Sequence, residues 1–148
     1  VLLIAGNPWK NDFAVYQKII DKNNLAKNII LHKKFIPHED VEHYYCASDL
    51  VVLPYKKIYQ SGVLMMTLSY ERPALVSDLP PLKEVVINNE NGFLFKTEDV
   101  NDLAEKLTVI LSDKENLERV RKNGYALINK KFGWDEIGRL TKKAYQTL

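Results

Sequence analysis

A single cysteine, Cys46, stands among the 148 residues. No intramolecular disulfide can form, which excludes the small secreted class framed by disulfides and suits a reducing compartment. A lone thiol of this kind is expected as a small buried hydrophobe. Charge of one sign is also missing: 21 Lys and Arg face 19 Asp and Glu, for a formal net charge of +2. That field is too weak to argue for nucleic acid or a membrane as partner, so any anion site must come from local placement. Long apolar runs are absent, since none approaches the roughly 18 to 20 residues of a membrane span. No cationic stretch precedes an apolar run of signal-peptide length. Glycine and proline are sparse at six each, and they form no linker or low-complexity tract. What is present, 46% apolar and 27% charged residues, supports one core, so a single compact domain is expected. The opening Val1-Leu2-Leu3-Ile4-Ala5-Gly6 reads as a buried strand without a lead-in, as expected of a piece of a longer polypeptide.

Short apolar runs alternate with stretches of helical period, the pattern of parallel strands joined by crossover helices. Strands are expected at residues 1–5, 29–32, 50–53, 74–77 and 93–95. Most are continuous apolar runs, which implies burial on both faces. Phe13, Gln17 and Ile20 space a first helix. Val41, Tyr44 and Tyr45 space a second, which follows Pro37 and carries Glu39 and Asp40 in its first turn. Val63, Leu64, Thr67 and Leu68 set the inward face of a third. Beyond residue 95 the chain reads as helix throughout. Leu103, Leu107, Ile110 and Leu111 form one stripe, and Leu117, Val120 and Leu127 serve the next helix. Ser112-Asp113-Lys114-Glu115 reads as a capping box between those two. A break at Phe132-Gly133 precedes a final helix, on which Trp134 and Tyr145 are expected as core aromatics. Gly92 closes a polar turn and is expected to take a positive φ. The expected fold class is α/β, a Rossmann-like parallel sheet flanked by helices with an all-helical carboxyl-terminal segment.

Ligands of open parallel sheets bind outside the carboxyl ends of the strands. Loops there hold Asn7, Pro8, Trp9 and Lys10, then Lys33, Lys34 and Phe35, then Pro54, Tyr55, Lys56 and Lys57. Five lysines after three strand ends favour an anionic ligand, although lysine-rich surface loops are common. More specific is Tyr59-Gln60-Ser61-Gly62-Val63, a polar turn that runs straight into an apolar helix. Ser61 is either a plain N-cap or the edge of a phosphate cradle, where Gly62 admits a ligand and first-turn N–H groups point outward. A phosphate there would gain on the order of 0.3 to 1 kcal/mol from the helix dipole, ~2 if partly buried. His32, His38 and His43 lack the spacing and companion ligands of a metal site. Asp49 begins a strand and suits a turn or cap. No nucleophile elbow, Walker loop or complete Gly-x-Gly-x-x-Gly occurs. A phosphoacceptor domain of similar layering needs acids after its first strand and an Asp ending its third, where Gly6-Asn7 and Pro54-Tyr55 stand.

In order, Leu3-Ile4-Ala5-Gly6, Phe35-Ile36-Pro37-His38-Glu39-Asp40-Val41 and Ala47-Ser48-Asp49-Leu50-Val51-Val52-Leu53-Pro54 are joined by Ser61-Gly62-Val63 and Arg72-Pro73-Ala74-Leu75-Val76. Glu84-Val85-Val86, Asn91-Gly92-Phe93-Leu94 and Phe132-Gly133-Trp134 complete the set. Together these strings resemble the carboxyl-terminal, nucleotide-sugar-binding domain of the group 1 glycosyltransferases, enzymes of the two-domain GT-B architecture. The resemblance implies a nucleoside diphosphate sugar donor and no cofactor or obligatory metal. It puts the diphosphate on Ser61, Gly62 and Val63, Phe35 and Ile36 beside the nucleobase, and Tyr55 and Lys56 at the start of the loop to the diphosphate turn. It further implies sugar transfer, usually with retention, to a glycan or lipid-linked acceptor held by an amino-terminal domain that this chain lacks. Polysaccharide or glycoconjugate assembly in the cytoplasm follows, with peripheral association at the inner membrane face open to the full protein.

The departures are as informative. The family's Glu-x7-Glu pair falls on Ile58 and Met66, which cannot accept a hydrogen bond from a sugar hydroxyl as a carboxylate does. Its paired glycines before Glu84 are Pro80 and Pro81, and its diphosphate-clamping Arg and Lys belong to a preceding strand and helix. No catalytic residue is therefore assigned, and this piece alone is expected to be inactive. The competing reading is a non-catalytic interaction or regulatory module with a degenerate donor site. In the family's order the preceding strand is central, between those at residues 1–5 and 50–53. A gap, a rearranged strand or a partner strand is expected there, and direct pairing of the two would contradict that order.

Overall fold

The computed structural model describes residues 1–8 and 12–147, so Trp9 and Lys10 of the first strand-end loop lie outside the described residues. The chain divides into two compact units, Val1–Tyr44 and Tyr45–Leu148. In the first, β1 (Leu2–Ala5) pairs in parallel with β2 (Ile29–His32), Leu2 opposite Ile29 through Ala5 opposite His32. Helix α1 (Ala14–Lys22) makes the crossover and buries Ile20, and α2 (His38–Cys46) follows Pro37 with Glu39 and Asp40 at its positive end. Gly6 takes φ +141 as its N–H donates to the His32 carbonyl at 3.0 Å, a conformation that favours glycine. His32, incidental by sequence, shares a 2.8 Å hydrogen bond between Nδ1 and the Tyr44 hydroxyl.

The second unit holds a parallel three-stranded sheet in the order β3 (Val51–Leu53), β4 (Ala74–Ser77), β5 (Phe93–Phe95). Every residue of β4 is buried, as a central strand covered on both faces must be. Its side chains alternate between two cores. Ala74 and Val76 join Leu53, Leu64, Leu68 and Leu82, while Leu75 joins Phe93, Phe95, Ile110 and Val120 on the other side. Helix α3 (Gly62–Ser69) and the short α4 (Pro80–Lys83) cover the first face; α5 (Val100–Ser112) and α6 (Lys114–Phe132) contribute to the second. Helix α7 (Trp134–Gln146) ends the described chain. Among the described residues no ladder joins β1 to β3. No helix among them is long and apolar enough to cross a membrane.

Five local expectations are corrected. Cys46 is exposed, not buried, because it ends α2 at a turn. Trp134 and Tyr145 are 87% and 75% exposed; periodicity identified one apolar face of α7 but not a surface that meets it, and α7 buries no residue. Val63 is 42% exposed, since the first turn of α3 stands beyond the sheet while Leu64, Thr67 and Leu68 turn inward. Gly92 has no positive φ; Asn89 takes that conformation at φ 60, and Gly92 is needed for space, as a Cβ would lie 2.8 Å from Val86 Cγ1. The cap of α6 is Asp113, whose carboxylate accepts from Asn116 N–H at 3.0 Å, while the Ser112 hydroxyl donates back to the Val109 carbonyl at 2.8 Å and forms no capping box.

Candidate functional site

The loop between β3 and α3 leaves the sheet at its carboxyl end and returns at Ser61. Ser61 has extended backbone, φ −126 and ψ 99, and its Oγ accepts from Leu64 N–H at 3.0 Å. Its carbonyl accepts from Met65 N–H at 3.2 Å. The cap thus engages the third and fourth N–H groups of the helix, and neither the Gly62 nor the Val63 N–H has an acceptor among the described residues. Leu64 and Leu68 fix the helix in the first core, so these two donors are held on a rigid element. The Ser61 hydroxyl also lies 3.5 Å from that of Tyr55, at the other end of the loop. Behind the helix, Tyr45 stacks on Tyr70 with ring centres 4.9 Å apart. Burial lifts the Tyr45 phenol above its ordinary range, partly offset by the Thr67 hydroxyl.

A cavity of about 490 Å³ opens at this helix start, within the size range of small-molecule sites. Tyr59, Gln60, Ser61 and Gly62 form one wall, Pro81 and Glu84 another, and Lys131 and Phe132 at the end of α6 a third. Pro80 and Pro81 begin α4, where a missing N–H costs nothing. The approach to α4 is tied down by Asp78, whose carboxylate accepts from the Thr97 N–H at 2.9 Å and hydroxyl at 2.7 Å. Those bonds hold the Asp78 carboxyl below the usual carboxylate range. Neither α4 nor the place of Glu84 on the cavity wall was foreseen. The signal available was the proline pair after Leu79, in the position prolines favour at a helix start.

Other sequence candidates are more dispersed. Tyr55 and Ile58 are half-buried against the first core, and Met66 is half-buried on α3. Lys56 Nζ lies 2.8 Å from a Glu98 carboxylate oxygen, both side chains well exposed, a pairing that contributes little energy. Lys57 Nζ lies 5.8 Å from the Tyr59 ring centre. Phe35 and Ile36 belong to the first unit, Phe35 75% exposed and Ile36 half-buried. That unit has its own cavity of about 260 Å³, lined by Gly6, Asn7, Pro8, Phe13, Tyr16 and Lys33 among others. There Lys33 Nζ sits 4.8 Å above the Phe13 ring. Among the described residues no group of three or more His, Cys, Asp or Glu side chains could hold a metal ion.

This arrangement can bind an anion at the start of α3 and a polar group deeper in the cavity. Solved structures share its fold. HepE of Anabaena, crystallised with UDP and also with UDP-glucose, superposes on 99% of this chain and 40% of its own, with 17% identity in both complexes and TM-scores of 0.86 and 0.83. The carboxyl-terminal domain of a group 1 glycosyl transferase from Francisella tularensis matches 89% of this chain and 69% of its own, with TM-score 0.80 and 20% identity. In sequence, an uncharacterized glycosyltransferase of Methanocaldococcus jannaschii is 26% identical over 140 residues, which are 93% of this chain but 39% of that protein. The chain therefore spans well under half the length of this curated relative. The sequence profile described as glycosyl transferases group 1 matches residues 1–127. The chain belongs to the group 1 glycosyltransferases.

Proposed function

We propose that this chain binds the donor of a sugar transfer, a nucleoside diphosphate sugar, and seats its diphosphate on Ser61, Gly62 and Val63. The observation that carries this is the rigid start of α3, with two N–H groups lacking acceptors among the described residues at the mouth of the cavity. An anionic diphosphate satisfies both donors and meets the positive end of the helix dipole. The same groups stabilise the negative charge that grows on the departing nucleoside diphosphate as the bond from the anomeric carbon to the phosphate oxygen breaks. Retention of anomeric configuration, the usual family course, belongs to this proposal, as does an acceptor that is a glycan or a lipid-linked sugar bound by a separate amino-terminal domain. Tyr55 and Lys56 border the diphosphate turn. No metal is required, because the charge is met by backbone donors and the helix end. The full protein works in the cytoplasm or at the inner membrane face.

Calorimetric titration of the natural polypeptide that carries this sequence, with UDP, GDP, UDP-glucose and GDP-mannose, tests the proposal. Saturable binding of at least one nucleoside diphosphate, without added metal, is the expected result. No binding to any of them contradicts it and favours a non-catalytic module, for which the apolar side chains of Ile58 and Met66 already argue.

A further inference from the structure

We propose that Glu84 recognises the sugar of the donor, its carboxylate accepting hydrogen bonds from sugar hydroxyls in the cavity that begins at Ser61 and Gly62; this rests on the donor-site reading. Sugar hydroxyls are donors that need acceptors once water is excluded, and a carboxylate is the strongest acceptor a protein offers. The two positions that carry carboxylates in the family pattern are Ile58 and Met66, and neither side chain has an acceptor of that kind. Among the described residues lining the cavity, Glu84 is the only one with a side-chain carboxylate, and that carboxylate forms no hydrogen bond or ion pair with another described residue. It stands at the end of α4, where its N–H donates to the Pro80 carbonyl at 3.2 Å, and the anchoring of Asp78 to Thr97 fixes the approach to that helix. The exposed carboxylate is therefore presented from a positioned backbone, on the wall of the cavity that the helix start also lines. Lys131, on the third wall, keeps the local charge from repelling an anionic donor.

The split between nucleotide and sugar recognition makes this testable. Calorimetry would compare UDP with UDP-glucose and GDP with GDP-mannose, on the native protein and on Glu84→Ala and Glu84→Asp. Loss of a charged acceptor should weaken the sugar conjugate about tenfold in Glu84→Ala. Affinity for the free diphosphate and the thermal midpoint should stay unchanged, and Glu84→Asp should fall between. An equal loss for diphosphate and conjugate, or unchanged affinity for both in Glu84→Ala, overturns the assignment while leaving the donor site standing. Failure of the native protein to bind any of the four overturns the donor site, and this inference with it.

Discussion

At Gly62 an added Cβ would meet no protein atom within 4 Å, and the residue has no positive φ to protect. The fold makes no demand for glycine there, so the space it leaves is free for a ligand. Substituting Gly62→Val should therefore leave the thermal midpoint nearly unchanged while abolishing nucleoside diphosphate binding in a titration. A large fall in the midpoint would show instead that the glycine serves packing. Gly92 and Gly124 make the contrast, because a Cβ on either would strike Val86 Cγ1, or the Asn91 carbonyl and Leu68, at 2.8 to 2.9 Å. Ile58 and Met66 were recognisable as departures from the family pattern by counting alone. That the cavity has another carboxylate at Glu84 was not recognisable, because Ser61 and Glu84, 23 positions apart along the chain, are brought to one cavity only by the return through β4.

Among the elements, the contact of α6 with α3 governs how firmly the helix start is held. Gly124 is buried beside that contact, and a Cβ added to it would lie 2.9 Å from both the Asn91 carbonyl oxygen and Leu68 Cδ2. Alanine normally favours a helix interior over glycine, but here overpacking wins, and Gly124→Ala should lower stability by about 1–3 kcal/mol. Chemical denaturation reads this directly; an unchanged or raised midpoint would mean that the two helices separate easily. The strands at 74–77 and 93–95 were legible in the sequence, because burial on both faces of a parallel sheet leaves continuous apolar runs; the strand at 29–32 was legible as an apolar run too, but Ile30 is 48% exposed, so the burial expected of it is not found. Exact helix starts were not legible. Asp113 and Ser112 are adjacent potential caps, and only the path of the chain decides between them. Nor could the stripe of Trp134, Ile137 and Leu140 say what it would face, since an amphipathic period records a preference for burial and no partner.

For the whole molecule, the division into Val1–Tyr44 and Tyr45–Leu148 separates two very different interiors. Both large cores belong to the second unit, whereas Ile20 is the only buried residue among those described in the first. Two strands and short helices bury little apolar surface, so the firmer framework is the second unit, where the α3 start, the cavity and Glu84 all reside. Whether the free amides at the start of α3 bind the donor diphosphate is decided by an amide correlation spectrum of the isotope-labelled protein, titrated with UDP and with GDP. The largest shifts are expected at the Gly62 and Val63 amides with at least one nucleotide. Saturable binding that leaves those two amides unmoved would contradict that binding mode.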